Sequence, residues 1–495
     1  VASDTTERSA VYRSLVPARM DRLPWTRFHW LVVVSLGITW ILDGLEIQIA
    51  SAIGSQLQKS GTLGLSSSEV GASASVYLAG EVFGALLFGR LSDRLGRRKL
   101  FIFTLGLYLV ANGVTGFSVN IVMFFALRFI AGMGIGGEYA AINSAIDELI
   151  PADYRGRVDI AINGTYWAGA AIGAAAEIFF LNPNLFGENV GWRLGFFIGP
   201  VVGMAIWGLR RHLPESPRWL MTHGHEQEAE RTVDEIEERV RAEGVELAPV
   251  DPSRAIEVRP QEQVTYRQIA RVMLAQYRSR SVLGFTMMVT QAFLYNAIFF
   301  TYSLVLTHFY GVSSSSVPYF FFPFAVGNLL GPLTIGHLFD TVGRRKMIAG
   351  TYCVSAVLLA ISGWLFHAGL LNAVTQTVVW CVIFFLASAG ASSAYLTVSE
   401  IFPLELRAQA ISFFFAISQL VGGVLAPTIF GALIGSGKDR TPLLYGYLFG
   451  AVLMFVGGAV AWWIGVDAER RSLEDIANPL SAVTRGISPT GSAPA

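Results

Sequence analysis

This sequence is short of charge, of lysine and of cysteine. Only 15% of its 495 residues are Asp, Glu, Lys or Arg, too few to cover a soluble globule of this size. Acidic and basic residues number 36 each, so no global field attracts a polyanion and a nucleic-acid partner is disfavoured. Lys59, Lys99, Lys346 and Lys438 are the only lysines among the 36 basic residues, an arginine-heavy usage of the kind a GC-rich bacterial genome gives. The two cysteines, Cys353 and Cys381, lie inside apolar runs; they read as small core residues, and no disulfide or metal site is expected. Residues 1–27 mix Asp, Glu and Arg with proline and lack an apolar stretch, so no cleavable signal is expected and the first span itself directs insertion.

What is abundant is apolar sequence. Hydrophobic residues make up 53% and the mean hydropathy is +0.50, which points to a membrane protein. A helical span takes about 20 apolar residues. Runs bounded by charge or turn clusters begin near Phe28, Glu69, Lys99, Asn120, Arg157, Trp192, Ser281, Ser315, Lys346, Ala373, Arg407 and Pro442, which predicts twelve transmembrane helices. An even count puts both termini on one side. The connections after helices two, four, eight and ten hold Arg90, Arg94, Arg97, Arg98, Lys99, Arg155, Arg157, Arg344, Arg345, Lys346 and Arg407, whereas most opposite loops hold at most Lys59. By the positive-inside rule the first set is cytoplasmic; Lys438 and Arg440, partly offset by Asp439, are the exception. The expected fold is an all-α membrane protein of two pseudo-symmetric six-helix bundles, at 28–210 and 281–466. A cytoplasmic segment (1–27), a cytoplasmic helical insert (211–280) and a cytoplasmic tail (467–495) complete it, in a plasma membrane of bacterial type.

The two halves echo one another. Gly89-Arg-Leu-Ser-Asp93-Arg-Leu-Gly96-Arg97-Arg98-Lys99 recurs as Gly336-His-Leu-Phe-Asp340-Thr-Val-Gly343-Arg344-Arg345-Lys346, offset by 247 residues. Glu148-x-x-Pro151-x-x-x-Arg155 recurs as Glu400-x-x-Pro403-x-x-x-Arg407, offset by 252. Two motifs repeated in one order at nearly one separation indicate an internal duplication. Six-plus-six repeats are how secondary transporters build a central site that two rocking halves expose alternately.

At these residues the chain resembles the major facilitator superfamily. Pro214-Glu215-Ser216-Pro217-Arg218-Trp219-Leu220 after helix six and Glu469-Arg470-Arg471-Ser472-Leu473-Glu474-Asp475-Ile476 after helix twelve are similar to signatures of its sugar-porter branch. In helix seven, Gln291-Ala-Phe-Leu-Tyr-Asn296-Ala297 resembles that branch's sugar-binding Gln-Gln-x-x-Gly-x-Asn-Ala run, with Thr290 and Leu294 as departures. Asn163 falls where the branch has a substrate-binding Gln on helix five. The branch's Gly-Pro-x-x-Trp on helix ten is here Ala391-Ser392-Ser393-Ala394-Tyr395, and its Asn-Trp on helix eleven is Ser418-Gln419; both departures loosen the match to a hexose site. Asp43-Gly44-Leu45-Glu46 resembles the helix-one motif of the synaptic-vesicle-type and aromatic-acid symporters, relatives that carry organic acids or other metabolites. Gly169-Ala-Ala-Ile-Gly173 has no proline, unlike the helix-five motif of drug antiporters, so import is the expected direction.

An ionisable group at membrane depth costs about 2.5 to 3.5 kcal/mol and needs a partner, water or a function. At about 1.5 Å per residue, Glu46 lies about 10 Å and Asp43 about 15 Å below the outer end of helix one, and Arg128 about 12 Å below that end of helix four. All three share a level, and Asp43 and Glu46, three apart, share a helix face. An acid beside a guanidinium that conformational change can separate is a workable proton switch. The resemblance agrees, implying that Glu46 pairs with Arg128 and is protonated during the cycle. A plainer alternative stays open, in which Arg128 snorkels to the headgroups and the acids bond neighbouring helices. Glu81, halfway along helix two, is an auxiliary proton site or an interhelical hydrogen bond. Glu138 and Glu177 have no evident cation and no assigned role.

Gln291 sits about 18 Å into helix seven, near the midplane where a transported solute rests. Amides offer donors and an acceptor to hydroxyl or carboxylate groups, and Asn163, Asn296, Tyr395 and Gln419 would complete the substrate cavity; interhelical bonding by the same side chains is the alternative. Gly132-x-Gly134-x-Gly136 reads as small-residue packing, since no strand precedes it as a nucleotide loop requires. On the cytoplasmic face the repeats resemble the family's charge relay. Glu148 and Glu400 would pair with arginines among Arg90, Arg97, Arg98, Arg344 and Arg345, and Asp93, Asp340, Arg155 and Arg407 would complete the gate. Plain positive-inside anchoring explains the arginines but not the acids. The seven histidines avoid the middle of the expected cavity, against a histidine relay.

The expectation is therefore a proton-coupled symporter of a small polar organic solute, sugar-like or an organic acid, not an enzyme, with no cofactor or metal, functional as a monomer in the lipid bilayer. An exporter or antiporter of the same fold, and a transporter-like receptor, are the rival readings.

Overall fold

The computed structural model describes residues 11–477 apart from 54–56, 58–59, 66, 181–184, 188, 211, 259–270, 313–315, 404–405 and 435–437. Helices stand at each of the twelve places read from the apolar runs. In the first half these are α1 (Arg27–Ala52), α2 (Ser67–Leu95), α3 (Arg97–Thr115), α4 (Ile121–Leu149), α5 (Ala152–Gly164, resuming after Thr165 as Tyr166–Phe180) and α6 (Gly191–Arg210). In the second they are α7 (Arg278–Tyr310), α8 (Val317–Ile335), α9 (Arg344–His367), α10 (Ala373–Ile401), α11 (Arg407–Ser418, a π-helical stretch Gln419–Leu425, then Ala426–Ile434) and α12 (Thr441–Ile464). Among the described residues seven of these, α1, α4, α7, α8, α9, α10 and α12, are long and apolar enough to cross a membrane on composition alone. The interrupted helices α5 and α11 hold the same place in the two halves, and each break lies beside the central cavity described below.

Local chemistry fixes the ends. The Asn120 and Asn372 side chains accept from the backbone N–H three residues on, at 2.9 and 2.8 Å, and so cap α4 and α10. The repeated motifs contain Gly96 and Gly343, whose φ values of 92° and 115° turn the chain sharply into α3 and α9; a side chain there would be strained. Backbone contact between α1 and α5 depends on Gly44, where a Cβ would collide with the Tyr166 carbonyl.

The halves meet through α5 against α8 and α10, and through α11 against α2 and α4. Beyond α6, the helix Glu226–Ala242 buries Ala229, Val233, Ile236 and Val240 at helical spacing, together with one acid, Glu237. The chain's start packs on it. Tyr12–Ser14 pairs antiparallel with Ile256–Val258, and Arg19 reaches Glu230, Asp234 and Glu237 at 2.6, 2.6 and 2.9 Å. This small ribbon has no counterpart in the sequence reading, because three-residue strands carry no periodic signal. The end of the molecule bearing this insert and both repeated motifs is called the motif end below.

Candidate functional site

A cavity of about 130 Å³ lies between the halves. All five amide and tyrosine side chains expected to hold a solute line it: Asn163 from α5, Gln291 and Asn296 from α7, Tyr395 from α10 and Gln419 from α11. Asn163 is there because α5 breaks two residues later at Thr165, whose hydroxyl bonds back to the Ile162 carbonyl at 2.5 Å. Gln419 is there because it opens the π-helical stretch of α11, a local widening frequent at functional sites. Several amide groups are held in place: Asn163 Nδ2 donates to the Asp159 carbonyl at 2.7 Å and to Asn143 Oδ1 at 3.3 Å, and Asn296 Nδ2 donates to the Ala292 carbonyl at 2.9 Å. Sequence reasoning missed the aromatic walls, formed by Trp40, Tyr139, Tyr166, Trp167, Tyr295, Phe299 and Phe415. Their spacing within uniformly apolar helices gave nothing to single them out. No basic side chain is among the described lining residues.

Asp43 also lines the cavity, whereas Glu46, Arg128 and Glu81 do not. Its two carboxylate oxygens accept from the hydroxyls of Tyr77, at 3.0 Å, and Tyr139. Behind it Arg128 bonds Glu46, which also accepts from Asn112 Nδ2 at 2.6 Å. The Arg128 guanidinium stacks 4.2 Å from the centre of the Tyr77 ring. One tyrosine thus touches the cavity acid with its hydroxyl and the buried ion pair with its face. Across the interface, Gln419 Nε2 donates to Glu81 Oε2 at 3.4 Å, and Glu81 Oε1 has no hydrogen-bond partner among the described residues.

The expectation that Glu138 lacks a cation is overturned. Arg210 holds it with two bonds of 2.8 Å, and Thr39 adds one of 2.6 Å. Arg210 was read as the last residue of the first bundle, at the edge of the polar insert, and about 28 Å down α6 it stands level with Glu138, about 27 Å down α4. The depth reasoning applied to Arg128 would have found the pair. The side chains of Glu177 and Asp93 lie outside the described residues.

At the motif end, Arg97 bonds Glu148 at 3.0 Å, and Arg344 grips Glu400 with two bonds of 3.0 Å and Asp340 with one of 2.5 Å. Longer contacts cross the interface symmetrically: Arg155 to Glu400 and Arg407 to Glu148, each at 3.9 Å. Arg157 N–H also crosses to Asp340 at 2.7 Å. Arg345, expected as a partner of the two glutamates, turns instead to the Trp462 carbonyl at 2.5 Å. Arg98 is exposed, and its backbone N–H donates to Glu215 at 3.2 Å; Arg90 is half-buried. Three partners went unread in the sequence. Glu215 and Glu469 accept from the first N–H groups of α3 and α9, at 2.8 and 3.4 Å, where a helix N-terminus favours an anion. They stand 254 residues apart, a third repeat that an offset search would have exposed. Burial nonetheless pushes the Glu215 carboxyl above its usual range, against the lowering effect of those N–H groups and of Arg97. Arg218 joins Asp21 and Glu474, each at 3.0 Å.

The family described as "Sugar (and other) transporter" matches residues 38–479. The chain belongs to that family. This transporter is 27% identical to the niacin transporter NiaP of Acinetobacter baylyi, over 93% of this chain and 99% of the relative. It is 26% identical to a D-xylose transporter of Levilactobacillus brevis, over 90% and 94%. Its fold is that of the proton:xylose symporter XylE of the major facilitator superfamily, solved bound to 6-bromo-6-deoxy-D-glucose, with a TM-score of 0.74 at 18% identity over 91% of this chain and 98% of that one. The chain is therefore a multi-pass membrane transporter of the sugar and metabolite type within that superfamily.

Proposed function

We propose that this transporter carries a small polar organic solute into the cell together with protons, by alternating access, with its motif end facing the cytoplasm. The observation that carries the reading is the position of Asp43. It presents a carboxylate to the cavity and connects through Tyr77 to the Glu46–Arg128 pair, so solute and proton act on one wired group. The present geometry corresponds to the unprotonated pair with the motif end shut by its ionic contacts. A proton arriving from outside neutralises Glu46 and loosens Arg128, the solute seats on the amides between aromatic walls, and the halves rock. Release follows when the proton leaves and the pair re-forms. The absence of a basic side chain among the described lining residues favours a neutral solute, since a buried anion without a counter-charge is costly; a carboxylate solute would enter with its compensating proton. Relatives that carry niacin and xylose bracket these two possibilities.

The test is solute-driven acidification of proteoliposomes holding a pH dye, screened with D-xylose, nicotinate and nicotinamide. Acidification by one solute, lost in Glu46→Gln, supports symport. Concentrative uptake that survives in Glu46→Gln sinks it, and counterflow of protons would assign an antiporter.

A further inference from the structure

Two fully buried acids have no part in the cycle described so far. Asp147 lies on α4 and Asp159 on α5, and none of their four carboxylate oxygens accepts a hydrogen bond among the described residues. Their placement follows from helix geometry. Asn143 and Asn163 are bonded to each other across α4 and α5, and Asp147 and Asp159 are each four residues, one turn, further toward the motif end on those helices. Asp159 feels Asp147 as a facing charge. The pair therefore lies between the solute cavity, which Asn163 lines, and the ionic gate. Asn163 is itself buried, and its Oδ1 has no hydrogen-bond partner among the described residues.

Neither acid is hydrogen-bonded to a cation among the described residues. Arg407, Glu400 and Arg155 face Asp147, and Asp147, Glu400 and Arg344 face Asp159. Ser399, the hydroxyl beside Asp147, donates to the Leu396 carbonyl at 2.8 Å, and Asn163 donates as described above. Among the described residues the gate's ion pairs join five arginines, Arg97, Arg155, Arg218, Arg344 and Arg407, to five carboxylates, Asp21, Glu148, Asp340, Glu400 and Glu474. That network balances without Asp147 or Asp159. Two adjacent surplus carboxylates, desolvated and unbonded, carry too high a cost as anions.

We propose that Asp147 and Asp159 form a second proton-carrying site, loaded while the gate is shut and emptied at the motif end when it opens. On opening, the O–H bond of one acid breaks, its proton passes to entering water, and the carboxylate left behind pairs with Arg407, none of whose guanidinium nitrogens has a hydrogen-bond partner among the described residues in the shut state. The use of this proton in transport rests on the symport reading above; its presence does not.

The experiment has two arms. Infrared spectra of the full chain in lipid at neutral pH should contain carboxylic-acid C=O components that are lost in Asp147→Asn and Asp159→Asn, near-isosteric neutral replacements. In proteoliposomes these variants should keep exchange of labelled for unlabelled solute while protons taken up per solute fall. An infrared acid band unchanged in both variants means that both groups are ionised and overturns the proposal. So does loss of the band with an unchanged proton-to-solute ratio, which makes them packing acids. If the unmodified chain takes up no protons at all, the symport reading fails and the relay with it, while loss of the band would still establish the pair as a proton-holding site.

Discussion

Tyr77 donates its hydroxyl to Asp43 at 3.0 Å from a ring whose face carries the Arg128 guanidinium. Asp43 is in the cavity and Glu46 behind it, so two acids one helical turn apart have separable duties. Asp43→Asn should act on the solute: where a solute N–H or O–H donates to the carboxylate, its loss costs about 1.5–3 kcal/mol, roughly tenfold to hundredfold in affinity. Glu46→Gln should leave affinity near that of the unmodified chain and abolish accumulation against a gradient. Trp40 and Trp167 line the cavity, so quenching of intrinsic fluorescence reads the first and proteoliposome uptake the second. Equal loss of binding in both variants would contradict the division.

Arg210 and Glu138 are both fully buried, and their role is holding α6 to α4 and α1. Removing one partner of such a pair costs about 3–5 kcal/mol, because the other is left buried and charged. Arg210→Gln should therefore lower the unfolding midpoint sharply, and adding Glu138→Gln should recover much of the loss. Thermal unfolding in detergent checks both. A single variant as stable as the unmodified chain would mean that water reaches the pair.

Much of this architecture is legible before any coordinates. Glu46 and Arg128 were brought together by counting 1.5 Å steps from opposite helix ends, and the ionic contacts of the motif end by a repeat whose acids anchoring does not require. What escaped has physical causes. Arg210 stands at the boundary between apolar helix and polar insert, where a residue reads equally well as either. Asp147 and Asp159 are hidden beside louder motifs, Glu148 on one side and the Arg155-Gly156 pair on the other, and burial, which makes them unusual, is not a property of sequence. The aromatic walls are invisible for the opposite reason: in helices apolar on every side, no periodicity separates a cavity face from a packed one.

Backbone contact between α1 and α5 holds Asp43 and Asn163 at one cavity. Gly44→Ala places a methyl group against the Tyr166 carbonyl, and overpacking of this kind costs about 1–3 kcal/mol. Uptake should fall with it, since the helices must part at the cavity's edge. Gly106→Ala is the control, because a Cβ there meets nothing within 4 Å; its uptake and unfolding midpoint should match the unmodified chain. A neutral Gly44→Ala would show that α1 and α5 are free to separate.

The docking of the chain's start on the helix Glu226–Ala242 should depend on pH. Burial alone would push the Glu237 carboxyl up, but hydrogen bonds from Arg19 and Arg22, with their charges, outweigh it and hold it at about 2 against an ordinary 4.5. A carboxyl depressed in the folded state contributes stability that is fully present above its unfolded value and is lost as pH falls toward the folded one. The contribution is therefore intact at neutral pH and fades between 4.5 and about 2. Hydrogen exchange over residues 12–22 should speed up across that window. Glu237→Gln should speed it already at pH 7, since Arg19 then keeps only Glu230 and Asp234, which are more exposed partners and so weaker ones. If exchange in this segment were unchanged in Glu237→Gln, the strand pairing of Tyr12–Ser14 with Ile256–Val258, and not the arginine contacts, would be what holds the chain's start in place.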